Sequence, residues 1–102
     1  MNPPVASSFV IEDARSDLRF TVPVGQRVVV GRGPNADVLI APLWASRRHV
    51  AFENVDGTCY VERLDALHPM FVGAIPLRAR APMPPGVELA IGRMRLRVVK
   101  EG

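Results

Sequence analysis

Apolar residues recur along this chain with a period of two, the spacing of a strand that buries one face, rather than the three-to-four spacing of a helix. Ser8-Phe9-Val10-Ile11-Glu12 and Leu18-Arg19-Phe20-Thr21-Val22 open the series, the second stopped by Pro23 and Gly25. Arg27-Val28-Val29-Val30 runs to Gly31, and Asp37-Val38-Leu39-Ile40 is closed by Pro42. His49-Val50-Ala51-Phe52-Glu53 leads into Asp56-Gly57, a hairpin signal, and Thr58-Cys59-Tyr60-Val61-Glu62-Arg63 answers it. Met70-Phe71-Val72 and Ile75-Pro76-Leu77-Arg78 are short strands, and Pro82, Pro84, Pro85 and Gly86 form a connector. Val87-Glu88-Leu89-Ala90-Ile91, Gly92 and Arg93-Met94-Arg95-Leu96-Arg97-Val98-Val99 make a closing hairpin. Short strands at regular spacing predict an all-β sandwich or barrel. No window offers an amphipathic helix, no repeat is present, and residues 1–6 are expected to be loosely ordered.

Composition narrows this picture. At 102 residues, with 48% hydrophobic and 23% charged, the chain is one globular domain, expected over residues 7–102. Its apolar runs are too short to span a membrane. The opening Met1-Asn2-Pro3-Pro4-Val5 does not read as a secretory signal. Cys59 is the single cysteine, which excludes an internal disulfide and favours the cytosol; alternating with Tyr60 on a strand, it reads as a buried core thiol. The net charge of +3 is carried by twelve arginines and one lysine, Lys100. Such a bias is also what a GC-rich bacterial genome produces. Arg93, Arg95 and Arg97 alternate with apolar residues as a solvated strand face does, and so do Arg78 and Arg80. A nucleic-acid surface is disfavoured by the 6% aromatic content and the missing lysine cluster.

Two loops carry polar groups at strand ends: Gly31-Arg32-Gly33-Pro34-Asn35-Ala36-Asp37 and Trp44-Ala45-Ser46-Arg47-Arg48-His49. Each alone reads as an ordinary turn, with Trp44 a core plug. Together they could hold a phosphate dianion, which needs a guanidinium, a hydroxyl or backbone N–H groups, and little competing acid. Gly31-x-Gly33-x-x-Ala36 mimics a dinucleotide fingerprint, but Pro34 and the strand after it replace the helix which that motif requires. Ser46 and His49 lack the acid, the elbow and the oxyanion loop of a catalytic triad, so an enzyme is not expected. Cys59, His49 and His68 are too scattered for a metal site, and no cofactor is implied.

Gly31-Arg32 after the third strand, an Asp-Val-x-Ile-type strand, then Ser46-Arg47-Arg48-His49 resembles the signature of forkhead-associated (FHA) domains. The likeness continues through Asp56-Gly57, Val61-Glu62-Arg63-Leu64 and Phe71-Val72, over about residues 8–99. The resemblance implies a SMAD/FHA-type β-sandwich of about eleven short strands. It implies a phosphothreonine-peptide-binding module in signalling or secretion-system regulation, whose partner is a phosphorylated substrate of a Ser/Thr kinase. By position, Arg32 and Ser46 would contact the phosphate and Arg47 would flank the peptide. Gly31 would permit the loop geometry and His49 would brace the Ser46 loop. Where the family carries Ser-x-Asn-Gly-Thr, this chain has Ala66-Leu67-His68-Pro69-Met70. His68 stands in place of the peptide-gripping Asn, and Pro69 removes an N–H. A degenerate domain that binds an unphosphorylated partner, as adaptor or assembly subunit, is therefore the alternative.

Overall fold

In a computed structural model of the chain, residues 7–40, 48–65 and 68–100 are described. The expectations for residues 1–6 and Trp44 lie outside them. Eleven strands follow in order: β1 (Phe9–Asp13), β2 (Arg19–Val22), β3 (Arg27–Gly31), β4 (Val38–Leu39), β5 (Val50–Val55), β6 (Thr58–Arg63), β7 (Met70–Val72), β8 (Ile75–Pro76), β9 (Arg80–Pro82), β10 (Glu88–Ile91) and β11 (Met94–Lys100). They form a six-stranded sheet, β2-β1-β11-β10-β7-β8, and a five-stranded sheet, β4-β3-β5-β6-β9. β4 runs parallel to β3, with Val30 opposite Val38 and Gly31 opposite Leu39. No helix among the described residues is long and apolar enough to cross a membrane.

The period-two pattern is what closes the two sheets on one another. Inward positions Phe9 and Ile11 of β1, Leu89 and Ile91 of β10, and Leu96 and Val98 of β11 face Val28 and Val30 of β3, Val50 and Phe52 of β5, and Cys59 and Val61 of β6. Phe20 on β2 meets Phe52 across the sandwich with ring centroids 5.7 Å apart and planes at 57°. Leu77 and Met83, from the connectors flanking β9, complete the core. Cys59 is buried there as a free thiol.

One strand departs from the sequence pattern. Pro82 does not open the connector but ends an edge strand, Arg80–Pro82, with Glu62 opposite Arg80 and Tyr60 opposite Pro82. Proline is tolerated there because an edge position needs no N–H for the ladder on one side. The turns obey their residues more closely. Asp56 and Gly57 both have positive φ, 49° and 81°, as a type I′ hairpin demands.

Candidate functional site

β3, β4, β5, β6 and β7 all begin or end at one pole of the sandwich, and the connections between them gather the residues that the sequence singles out. Gly31 closes β3 and is buried; its carbonyl accepts from the Ile40 N–H at 2.9 Å. Arg32 follows immediately and is exposed. The loop beyond it is fixed by its own polar groups. The Asp37 carboxylate accepts the Val29 N–H at 2.8 Å, and the Asp37 N–H donates to Val29 O at 2.8 Å. Ala36 N–H donates to Gly33 O at 3.1 Å, closing the turn. Aspartate is the residue for this task, because a short carboxylate can satisfy a nearby backbone donor. Arg32 is thereby presented from a loop anchored at both ends.

Ser46 and Arg47 lie outside the described residues. The segment just after them is held tightly. His49 N–H donates to Val30 O at 2.8 Å, and His49 O accepts the Leu64 N–H at 3.1 Å. Arg48 O accepts the Asp65 N–H at 2.9 Å. Arg48-His49 is therefore stitched to β3 on one side and to the β6–β7 connection on the other. That second connection carries His68, which is exposed. Arg63 ties its root down, with its N–H donating to Ala79 O at 2.7 Å and its Nη1 reaching Leu77 O at 3.5 Å.

The His49 ring is completely buried. Burial first, then the positive fields of His68 and Arg63, push its pKa down to about 4. At neutral pH the imidazole is uncharged, because a buried cation would forfeit its hydration next to other cations. This chemistry suits a structural brace. The pole as a whole presents Arg32, Arg48 and His68 at its surface, a set of donors suited to an anion.

Arg48 also acts sideways. Glu62, on the outer face of the five-stranded sheet, is held below the usual carboxylate range chiefly by the Arg27 hydrogen bond, and also by the fields of Arg27, Arg80 and Arg48. Arg27 pairs with Glu53 at 3.3 Å and with Glu62, and Arg80 lies 3.6 Å from Glu53 and 4.0 Å over the Tyr60 ring. Acid and base on that face neutralise one another across four strands.

Two buried polar groups escaped the sequence reading. Asn54, at the far pole, donates through Nδ2 to Ser7 O and to Val22 O, both at 3.0 Å. Asp13 accepts Arg95 N–H at 3.0 Å, Arg15 N–H at 3.2 Å and the Ser16 hydroxyl at 2.7 Å, fastening the β1–β2 turn to β11. Burial pushes its carboxyl up, but the hydrogen bonds outweigh this and leave it below the ordinary value. Both were detectable in principle. Asn54 continues the inward series Val50, Phe52, and Asp13 continues Phe9, Ile11; a polar residue at a core position needs partners.

A family model described as the FHA domain matches residues 28–92, more than half of the chain. Comparison with curated proteins gives no match. Among solved structures, the chain is similar to the FHA domain of the CT664 protein from Chlamydia trachomatis, with a TM-score of 0.85 at 20% identity over 94% of this chain and 100% of that one. The FhaA FHA domain, solved with the intracellular domain of Rv3910, gives 0.78 at 18% identity over 90% and 100%. The MEK1 FHA domain, solved with a phosphothreonine peptide of HOP1, gives 0.76 at 15% identity over 94% and 99%. These likenesses speak to the fold, and with the family model over β3 to β10 they lead to one conclusion: the chain belongs to the FHA domain family.

Proposed function

We propose that this chain is a phosphothreonine-peptide-binding module that docks a phosphorylated protein partner in signalling or secretion-system regulation. One observation carries the reading: on an FHA fold, Arg32 and His68 stand at the same pole as Arg48-His49, whose backbone ties β3, which leads into the Arg32 loop, to the connection that bears His68. A phosphothreonine brings about −1.5 to −2 charge and three strong acceptor oxygens. Arg32 and Ser46 are assigned to the phosphate, with charge-assisted hydrogen bonds of roughly 1.5–3 kcal/mol each. Arg47 is assigned to the flanking peptide. His68, in place of the family's Asn, is assigned to the peptide backbone, and His49 to bracing the Ser46 loop.

The module binds and makes or breaks no bond. It works in the cytosol, where kinases act and a lone thiol such as Cys59 stays reduced. A bacterial source fits the twelve arginines set against one lysine.

The test is a threonine-centred peptide library screened in phosphorylated and unphosphorylated copies. Enrichment of the phosphorylated copies is expected, with Arg32→Ala and Ser46→Ala each weakening the best peptide by about tenfold or more. Their melting temperatures should stay unchanged. Equal enrichment of both copies sinks the reading. It would favour instead the phosphorylation-independent adaptor, for which His68-Pro69 in the peptide-gripping position is the specific observation.

A further inference from the structure

The lateral face of the six-stranded sheet carries chemistry that the loop pole does not use. Leu89, Ile91, Leu96 and Val98 point into the core, so their alternates on β10 and β11 point outward. The register sets Phe71, Ala90 and Arg95 in one row across β7, β10 and β11, and Glu88 beside Arg97 in the next. Ala90 is small and Gly86 has no side chain, so the sheet is hollow along β10. An open groove runs there, lined by Gly86, Glu88 and Ala90 and by Arg95 and Arg97 of the neighbouring strand. Phe71, 40% exposed, stands on the opposite side of Ala90.

The charge along this groove is unbalanced. Arg95 Nη1 donates to Gly92 O at 2.7 Å and to Met94 O at 2.8 Å, which fixes the guanidinium without neutralising it. Arg97 lies between Glu88 and Glu12 in the register, yet Glu12 pairs with Arg19. Among the described residues, neither Arg95 nor Arg97 forms an ion pair. A preset guanidinium, a second cation and an exposed ring around a hollow strand match an extended segment that alternates acidic and apolar side chains. A nucleic acid fits less well, because among the described residues Phe71 is the one exposed ring beside the groove for bases to stack on, whereas apolar side chains of a peptide can use Ala90 and Phe71 together.

We propose that this groove is a second docking surface, which takes an acidic, apolar-anchored segment of a protein partner independently of the phosphate-binding pole.

The probe is a fluorescein-labelled peptide of alternating Asp and Leu, without Ser, Thr or Tyr. Its binding is followed by anisotropy and by amide shifts in two-dimensional NMR, with an oligothymidine of equal length as competitor. Saturable binding is expected, with shifts at Phe71, Ala90, Arg95 and Arg97. Arg97→Gln should weaken it about tenfold. Ala90→Arg adds positive charge but fills the hollow, and it too should lose binding. Because Arg95 also holds the Gly92–Met94 turn, these two variants carry the test, and both should keep the wild-type melting temperature and phosphothreonine-peptide affinity. The proposal fails if the peptide does not bind or if shifts gather at Arg32 and His68. It also fails if oligothymidine displaces the peptide, or if Ala90→Arg tightens binding.

Discussion

At the pole that carries Arg32 and His68, the chain passes from β4 to β5 and from β6 to β7 through long connections. At the opposite pole it turns back from β5 to β6 in two residues, Asp56 and Gly57, and from β7 to β8 through Gly73-Ala74. The polar groups buried at each pole differ as well. The loop pole holds His49, an ionisable ring that burial keeps neutral, whereas the far pole holds Asn54, which has no ionisable group. Tight turns spend their residues on backbone geometry and leave little surface for recognition. Long connections must be tied down by something else. Here backbone bonds do it, Arg48 to Asp65 and His49 to Leu64, so that side-chain identity in those loops is left to recognition.

The contrast can be attacked first through His49. Its folded pKa is about 4 against about 6.5 in an unfolded chain. Between those values the unfolded state binds the proton and the folded state resists it. Stability is therefore full above about pH 6.5 and falls as the pH drops towards 4, by roughly 3 kcal/mol in total. Urea denaturation across that range measures the slope, and His49→Asn should flatten it. A slope that survives the substitution undiminished would assign the acid sensitivity elsewhere. Next in size is Asn54→Leu, which leaves the Ser7 and Val22 carbonyls without their donor. It should cost about 2 kcal/mol while leaving phosphothreonine-peptide affinity unchanged. Loss of that affinity would collapse the distinction between the poles. The smallest effect is expected of Gly57→Ala. A methyl there meets nothing within 4 Å, so only the backbone at φ +81° is strained, at about 1 kcal/mol in chemical denaturation.

Most strands were legible because a half-buried sheet imposes its period on the side chains. β9 was legible only in part, since the alternation marks Arg80 as a strand-face residue but Pro82 reads as a connector, and the strand's extent is set by pairing with β6. The strand-end position of Arg32 could be read from Gly31, and the place of His49 from the run that precedes it. The burial and neutrality of His49 could not, because they arise from packing against residues distant in sequence. The ties from Arg48-His49 to Leu64-Asp65 were likewise invisible, as carbonyl and N–H groups are the same in every residue. Asp13 and Asn54 stand between these cases: a sequence marks them as polar where the alternation calls for apolar, and only the fold names their partners.

Cys59 has a practical consequence. It is the only sulfhydryl in the chain, it sits on β6 between β5 and β9 in the five-stranded sheet, and burial pushes its pKa up to about 12. In the closed molecule almost no thiolate exists and no reagent reaches the sulfur. An alkylating agent can capture it only during openings that separate the two sheets. The capture rate therefore clocks the rarest excursions of the core, so the resilience of the scaffold can be followed separately from whatever its loops are binding.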